Sequence, residues 1–169
     1  HPFGTDQLGR DTLARMMAGG RTSIAVGLAA MALSLFFGSF IGVTAGFYKK
    51  LDGVLMRFTD LFLSLPLLPL LLVMMLLFRE PLSEAYGPER GMFVLIVVSI
   101  GITSWMPTAR IVRADVLALK EREFVLAAKA SGTSDTLIIL RHIMPNVLSP
   151  IMVSATLGIA NGIITESAL

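Results

Sequence analysis

Few side chains in this chain have the types and the spacing that catalysis or metal binding needs. The only two histidines are His1 and His142, and the 169 residues include no cysteine. The chain has no Gly-x-x-x-x-Gly-Lys-Ser/Thr stretch, the backbone cradle that binds ATP phosphates. No convincing Ser-His-Asp set is present either. We therefore predict a non-catalytic chain with no metal site and no cofactor of its own.

The notable polar residues lie in or beside long apolar runs instead. Asp60 precedes one run, and Asn161 and Glu166 lie in or near another. Polar groups at membrane depth often line a transport path, so Asp60 and Asn161 are the candidates for such a path. The simpler interpretation makes Asp60 an interfacial cap or the partner of Arg57, and Glu166 a solvated charge near a helix end.

The apolar runs themselves predict the fold class. Hydrophobic residues make up 54% of the chain and charged residues 15%, whereas a soluble domain carries roughly 25% charged residues. Four stretches contain no charge: residues 23–48, 61–78, 91–109 and 147–165. About 20 apolar residues in a helix cross a bilayer, and a helix satisfies its own backbone there. We predict an all-α, polytopic membrane helical bundle with about four spans, surrounded by lipid. A net charge of +2 offers no basic field for nucleic acid.

The basic residues between the predicted spans set the orientation. Connections 49–60 and 110–146 carry nine of the 14 Lys and Arg residues, while residues 1–22 and connection 79–90 carry five. The side richer in Lys and Arg usually faces the cytoplasm. We therefore predict that 110–146 is a cytoplasmic loop and that 1–22 is a periplasmic segment. The two histidines then lie on opposite sides of the membrane and cannot share a metal ion.

Two patterns indicate how the spans pack. In the first span, glycine recurs every four residues, at Gly38, Gly42 and Gly46. A strip of glycines, which have no side chains, allows a second helix to approach closely. Pro66 and Pro69 in the second span each remove a helix hydrogen bond and favour a kink.

Connection 110–146 is too long for a simple loop and has the composition of folded helices. Strong helix formers fill residues 121–130, and Gly132 suits the position just after a helix end. Thr133 or Ser134 can cap a second helix, which then meets Pro145. We predict a helix, a tight turn and a second helix before the last span begins.

By composition, two functions suit the first of these helices equally. Phe124 offers an aromatic anchor, Ala127 and Ala128 let a protein surface approach closely, and Lys129 places a charge at the rim. The alternative is an amphipathic helix that rests on lipid headgroups.

This connection resembles the EAA loop of permease subunits from binding-protein-dependent ABC importers. Ala127, Ala128, Gly132 and Pro145 have the spacing of that signature, Glu-Ala-Ala, three residues, Gly, nine residues, Ile, any residue, Leu-Pro. The chain departs from the signature at its Glu, Ile and Leu positions, which hold Leu126, His142 and Met144. These departures are similar to the dipeptide, oligopeptide and nickel branch, where Arg-His-Ile-Leu-Pro-Asn is usual and residues 141–146 here read RHIMPN.

Two further segments resemble the same branch. Residues 1–11 read HPFGTDQLGRD, similar to the segment before the second span of its C-type subunits, and a third similarity runs from Met56-Arg57 through Asp60 to Pro66. The resemblance implies a type I ABC importer transmembrane fold (MetI-like). It also implies that residues 1–169 are a partial transmembrane domain, a fragment of a six-span subunit without its first and sixth spans.

The resemblance further implies a permease subunit in the inner membrane of a bacterium or archaeon. It would form the translocation path for peptides or a related small solute such as nickel. Its partners would be a second permease subunit, identical or different, two cytoplasmic ATPase subunits that bind ATP and Mg²⁺, and a periplasmic binding protein. The residues marked for ATPase coupling are Phe124, Leu126, Ala127, Ala128, Lys129, Gly132, Arg141 and Pro145.

Two other classes of function are alternatives. An intramembrane enzyme needs paired catalytic groups at membrane depth, and none of the four uncharged runs supplies them. A channel or an ion-coupled secondary transporter needs no ATPase partner, so transport by vesicles without an ATPase would favour that class.

Overall fold

The computed structural model describes residues 3–169, so His1 and Pro2 of the first similarity segment lie outside the described residues. Within the described part the chain is helical, and its one β-type pairing is an isolated bridge between Thr5 and Asp11. The elements in order are α1 (Thr12–Phe47), α2 (Lys49–Ser64), α3 (Leu67–Tyr86), α4 (Pro88–Leu119), α5 (Glu123–Ala130), α6 (Asp135–Ile138), a π-helical segment (Ile139–Ile143) and α7 (Met144–Ala168).

A tight turn leads into α1. One carboxylate oxygen of Asp6 accepts hydrogen bonds from the backbone N–H groups of Leu8 and Arg10, both at 2.9 Å. The Arg10 bond is the main reason why the pKa of the Asp6 carboxyl lies below its ordinary value. Asp11 then caps α1 by accepting from the N–H of Leu13 at 3.0 Å.

The core of the bundle is the pair α1 and α4, which run parallel. Val26 and Ala30 of α1 pack with Val97 and Ile100 of α4, and farther along both helices Gly46 lies against Val116. Helix α7 runs antiparallel to α1: the Ser23 hydroxyl donates to a Glu166 carboxylate oxygen at 2.9 Å, and the farther end of α7 packs near Val43. Three long helices thus share one core.

The outer surface of the bundle is strongly apolar. Leu76 is 81% exposed, and exposed phenylalanines and leucines recur along α1, α3 and α7. Helices α1, α4 and the run Asp135–Ala168 are each long and apolar enough to cross a membrane, and the bent pair α2–α3 makes a fourth if it is one span. Such a surface suits lipid rather than water. The prediction of an all-α, polytopic membrane bundle is therefore confirmed.

The predicted span 61–78 is not a single helix. Helix α2 ends at Ser64, α3 begins at Leu67, and their axes differ by 83°. The break falls at Pro66, one of the two prolines for which a kink was predicted. Pro69 lies in the first turn of α3, where a missing N–H costs no helix hydrogen bond.

The other helices extend beyond the uncharged runs. Helix α4 continues past Ala109 to Leu119, although the sequence suggested a connection from residue 110 onward. Arg110 and Arg113, whose charges ended the run, are good helix formers and continue α4, where they form ion pairs with Asp60 and Asp52 of α2. An uncharged run thus marks the apolar part of a helix rather than its full length.

Contacts place the connections in two groups at opposite ends of the bundle. The end of α1, just before α2, and the chain after α4 meet at one end, where Lys120 Nζ donates to the Gly46 carbonyl at 3.1 Å. The start of α1 and the end of α7 meet at the other end through Ser23 and Glu166. This grouping agrees with the alternation assumed in the orientation argument, which predicts that the first of these ends is cytoplasmic.

Candidate functional site

Helix α5 is fixed to the bundle along one side. The Val125 side chain is fully buried, and it packs in one cluster with Val112 and Val116 of α4 and with Ile138 and Ile143 beyond the turn. Ala128, one helical turn later, packs against the same cluster. The sequence interpretation missed Val125, although its i, i+3 spacing with Ala128 marks one face of the helix.

Most of the other side chains of α5 are exposed. Phe124 and Leu126 are 43% and 48% exposed, and Ala127 and Lys129 are exposed as well. The Phe124 ring lies 6.1 Å from the His142 ring, and Lys129 Nζ lies 5.2 Å from the centre of the Phe47 ring. A short, firmly held helix therefore presents an apolar surface with a basic edge at the end of the bundle.

The turn after α5 requires glycine. Gly132 has a φ of +78°, a left-handed conformation that residues with a Cβ adopt at a cost. Its N–H donates to the Lys129 carbonyl at 3.0 Å, and the Thr133 N–H donates to the Ala128 carbonyl at 3.1 Å. These are the two bonds of a Schellman helix end. Ser134 occupies the cap position of α6 without a capping hydrogen bond from its side chain.

The second helix and the last span, predicted as separate elements on either side of Pro145, form one continuous helical run. The helical run continues from Asp135 to Ala168 through the π-helical segment Ile139–Ile143. The Met144 N–H bonds to the Ile139 carbonyl, five residues back. Such a widened turn accommodates the proline ring and its missing donor without breaking the helix. Arg141 and Pro145 are both exposed on this continuous rod.

The glycine strip is the closest contact between α1 and α4. A Cβ on Gly38 would lie 2.7 Å from Thr108 Cβ, one on Gly42 would lie 2.6 Å from the Ala109 carbonyl oxygen, and one on Gly46 would lie 2.7 Å from Val116 Cβ. Real Cβ atoms essentially never approach other atoms so closely. The part of α4 that meets this strip also carries Val112 and Val116, which hold α5.

A cavity of about 800 Å³ lies beside this core. Its walls come from α1, α4, α7 and the bend between α2 and α3, and they include Phe62, Leu65, Ser104, Ser154 and Asn161. Most of the other lining side chains are apolar, and none is charged. A cavity of this size and lining is typical of small-molecule sites.

Asn161 lines this cavity, whereas Asp60 is not among the residues that line it. The role of either residue in a transport path stays a prediction. Asp60 pairs with Arg110 of α4, so the predicted pairing with Arg57 is wrong. Arg57 is on the same helix as Asp60, but Arg110 approaches from the neighbouring helix. Glu166 bonds Ser23 and is likewise absent from the lining.

Hydroxyl groups in the cavity wall also connect helices. The hydroxyls of Thr108 on α4 and Ser154 on α7 lie 3.1 Å apart within hydrogen-bonding geometry. Thr103 donates to the Ser99 carbonyl of its own helix at 2.8 Å. Among the described residues, no group of three or more His, Asp or Glu side chains is placed to hold a metal ion.

Comparison with known proteins adds the family. A family model described as "Binding-protein-dependent transport system inner membrane component" matches residues 34–169. A putative peptide transport system permease protein of Brucella suis biovar 1 is 37% identical over 170 residues, covering 100% of this chain and 53% of the relative.

Two further relatives have more specific names. The oligopeptide transport system permease protein OppC of Bacillus subtilis is 38% identical, and the dipeptide transport system permease protein DppC of Alkalihalophilus pseudofirmus is 36% identical. Each alignment covers 100% of this chain and 52% of the relative, so the chain spans about half the length of the curated relatives it matches. Since the family model covers most of the chain, we conclude that this chain belongs to the family of binding-protein-dependent transport system inner membrane components.

Proposed function

We propose that this chain is the membrane-spanning part of a permease subunit in an ATP-driven importer of peptides, and that α5 is where a separate ATPase docks. The observation that carries the proposal is the two-sided character of α5. Its Val125 side is locked into the bundle, while the side with Phe124 and Leu126 is exposed at the end predicted to be cytoplasmic. The relatives named as oligopeptide and dipeptide permeases favour peptides as cargo.

The contacts of α5 supply a physical route for coupling. A partner that moves α5 is expected to move Val112, Val116 and Ile143 as well, because all three belong to the same packed cluster as Val125. The first two residues belong to α4, and the third leads directly into α7. Both helices line the cavity, so a displacement at α5 changes the walls of the path. ATP drives transport if its binding favours one of two such arrangements by differential contact energy.

The proposed complex follows from this arrangement. Two cytoplasmic ATPase subunits bind ATP and Mg²⁺ and hold the EAA loop of this chain and that of a second permease subunit, identical or different. A periplasmic binding protein delivers the cargo to the cavity. This chain performs no catalysis, and the complex resides in the inner membrane.

Reconstitution tests the proposal. The full-length permease, its permease partner, its ATPase subunits and its binding protein are placed in vesicles, and uptake of a labelled oligopeptide is measured with and without ATP. We expect uptake only when the ATPase subunits and ATP are both present. Uptake by vesicles that lack the ATPase subunits would favour a channel or an ion-coupled secondary transporter instead.

Sidedness gives a second prediction. A cysteine at Lys129, which is exposed, should react with a membrane-impermeant thiol reagent only from the cytoplasmic side. The stretch has no native cysteine to interfere. A cysteine at exposed Gln7, at the other end of the bundle, is the matched control and should react only from the periplasmic side. Labelling of position 129 from outside would reverse the orientation and remove α5 from the reach of a cytoplasmic ATPase.

A further inference from the structure

Helix α2 forms part of the cavity wall although little of it is buried. Phe62 and Leu63 near its end, and Leu65 at the bend, line the cavity. Thr59 is its one buried residue, and the Thr59 hydroxyl bonds only within its own helix, to the Leu55 carbonyl at 2.8 Å. Phe62 packs against the buried cluster of Trp105, Met106 and Ala109 on α4, but along the rest of α2 the burial of apolar side chains contributes little to holding this wall in place.

Two ion pairs attach α2 to α4 instead. Arg113 binds both carboxylate oxygens of Asp52, through Nε to Oδ1 and through Nη2 to Oδ2 at 2.6 Å. A fork of this kind is directional and stronger than a single contact. Asp52 and Arg113 are only 21% and 31% exposed, so water screens the pair partially.

The second pair is weaker and lies nearer the cavity. Asp60 and Arg110 are 57% and 53% exposed and share a single contact, and such exposed pairs contribute little by themselves. The rings of Phe58 and Phe62 also lie near Trp105 of α4, with centroid distances of 6.3 Å and 6.4 Å. The Asp52–Arg113 fork is therefore the stronger of the two ion pairs between these helices.

The same length of α4 faces α5. Arg113 lies next to Val112 in sequence, and Val112 and Val116 are fully buried in the same cluster as Val125. One face of α4 thus touches the proposed ATPase-docking helix, while its arginines hold the helix that walls the cavity. A rotation or shift of α4 that starts at α5 acts directly on the fork.

We propose that Asp52 and Arg113, assisted by Asp60 and Arg110, are positioning residues that hold α2 against α4 and so keep the cavity closed on that side. Motion of α4 loosens the fork, α2 swings about the bend at Pro66, and the cavity opens beside Phe62. This inference rests on the proposed transport function and names the residues that gate its path.

Accessibility of the cavity tests the proposal without any need for ATP. A cysteine replaces Ser104, which lines the cavity, in the full-length permease within its complex, after any cysteine elsewhere has been replaced. A charged, membrane-impermeant thiol reagent is applied from the cytoplasmic side. Asp52→Asn and Arg113→Gln are each expected to raise the modification rate about fivefold or more, because each removes one half of a charge-assisted fork. The double variant should add little to either single variant, since both break the same contact.

Further variants distinguish the positioning role of the fork from a general loss of structure. Lys50→Gln, an exposed neutralisation on the same helix, is the matched control and should leave the rate unchanged. Arg113→Lys keeps the charge but loses the fork, so it should give an intermediate rate. If Asp52→Asn prevents folding, Arg113→Lys and Asp60→Asn, which are expected to raise the rate in smaller steps, carry the test.

An unchanged rate in Asp52→Asn and Arg113→Gln, with both proteins monodisperse, would overturn the positioning role even if the parent complex imports peptide with ATP. Failure of the parent complex to import peptide would instead overturn the proposed function, while the thiol rates would still decide whether the fork holds the wall.

Discussion

Gly42→Leu is expected to force α1 and α4 apart and to lower the free energy of unfolding by about 1–3 kcal/mol or more, the usual cost of overpacking a tight core. A Cβ at this position would lie 2.6 Å from the Ala109 carbonyl oxygen and 2.7 Å from Val112 Cβ. The first of these atoms belongs to the backbone of α4, which cannot rotate away as a flexible side chain can. The helices must therefore separate, and the contacts of Gly38 and Gly46 on either side are lost with them.

Gly20→Leu is the matched control, because it lies in the same helix with nothing within 4 Å of its Cβ position. Both variants gain helix propensity of about 1 kcal/mol from the loss of glycine. The difference between their unfolding temperatures therefore reports the cost of overpacking alone. Thermal denaturation of the full-length permease in detergent, followed by the fraction that remains monodisperse, measures both variants. Equal unfolding temperatures for the two would contradict the close packing of α1 on α4.

The sequence predicted the helical class of this chain because lipid imposes one simple requirement. A long uncharged run must satisfy its backbone internally, so the four runs indicated helices whatever their neighbours were. The ends of the helices were harder to predict from the sequence. Arg110 and Arg113 looked like the start of a loop, but arginine is a good helix former, and both residues belong to α4, where they pair with Asp60 and Asp52 of another helix. The sharp break at Pro66 also depends on how α2 packs, which a proline alone does not determine.

The candidate site also combines features that the sequence predicted with features that depend on contacts between distant residues. The sequence predicted the local backbone geometry: Gly132 has the positive φ that its place after a helix end suggested. The spacing of Gly38, Gly42 and Gly46 predicted a close helix contact, but not that the partner would be α4. The fork between Asp52 and Arg113 joins residues 61 positions apart, and Val125 is buried in a cluster with residues of five other elements. No periodicity within a single segment reveals contacts of that kind.

Proline at Gly132 is expected to reduce ATP-driven uptake at least tenfold while leaving membrane insertion intact. Proline fixes φ near −65°, whereas Gly132 has a φ of +78° and donates its N–H to the Lys129 carbonyl. The substitution therefore removes the bond, reverses the turn and redirects α5 relative to α6. An ATPase that grips Phe124 and Leu126 then no longer moves Val125 against α4, and tenfold corresponds to a loss of only about 1.4 kcal/mol in that coupling.

Asp135→Pro, three residues farther on, is the control that distinguishes a broken turn from a proline in the wrong region. Asp135 is the first residue of α6, where proline is favoured, and Ser134 before it has the extended backbone (φ −65°, ψ 149°) that a following proline requires. Uptake, ATPase co-purification and surface labelling are measured for both variants in the complete complex. Since α1, α4 and α7 make their contacts elsewhere, Gly132→Pro should insert normally and lose ATPase co-purification along with uptake, whereas Asp135→Pro should keep both. If Gly132→Pro retained both uptake and ATPase co-purification, the orientation of α5 would not matter for coupling. The ATPase would then have to act on another surface.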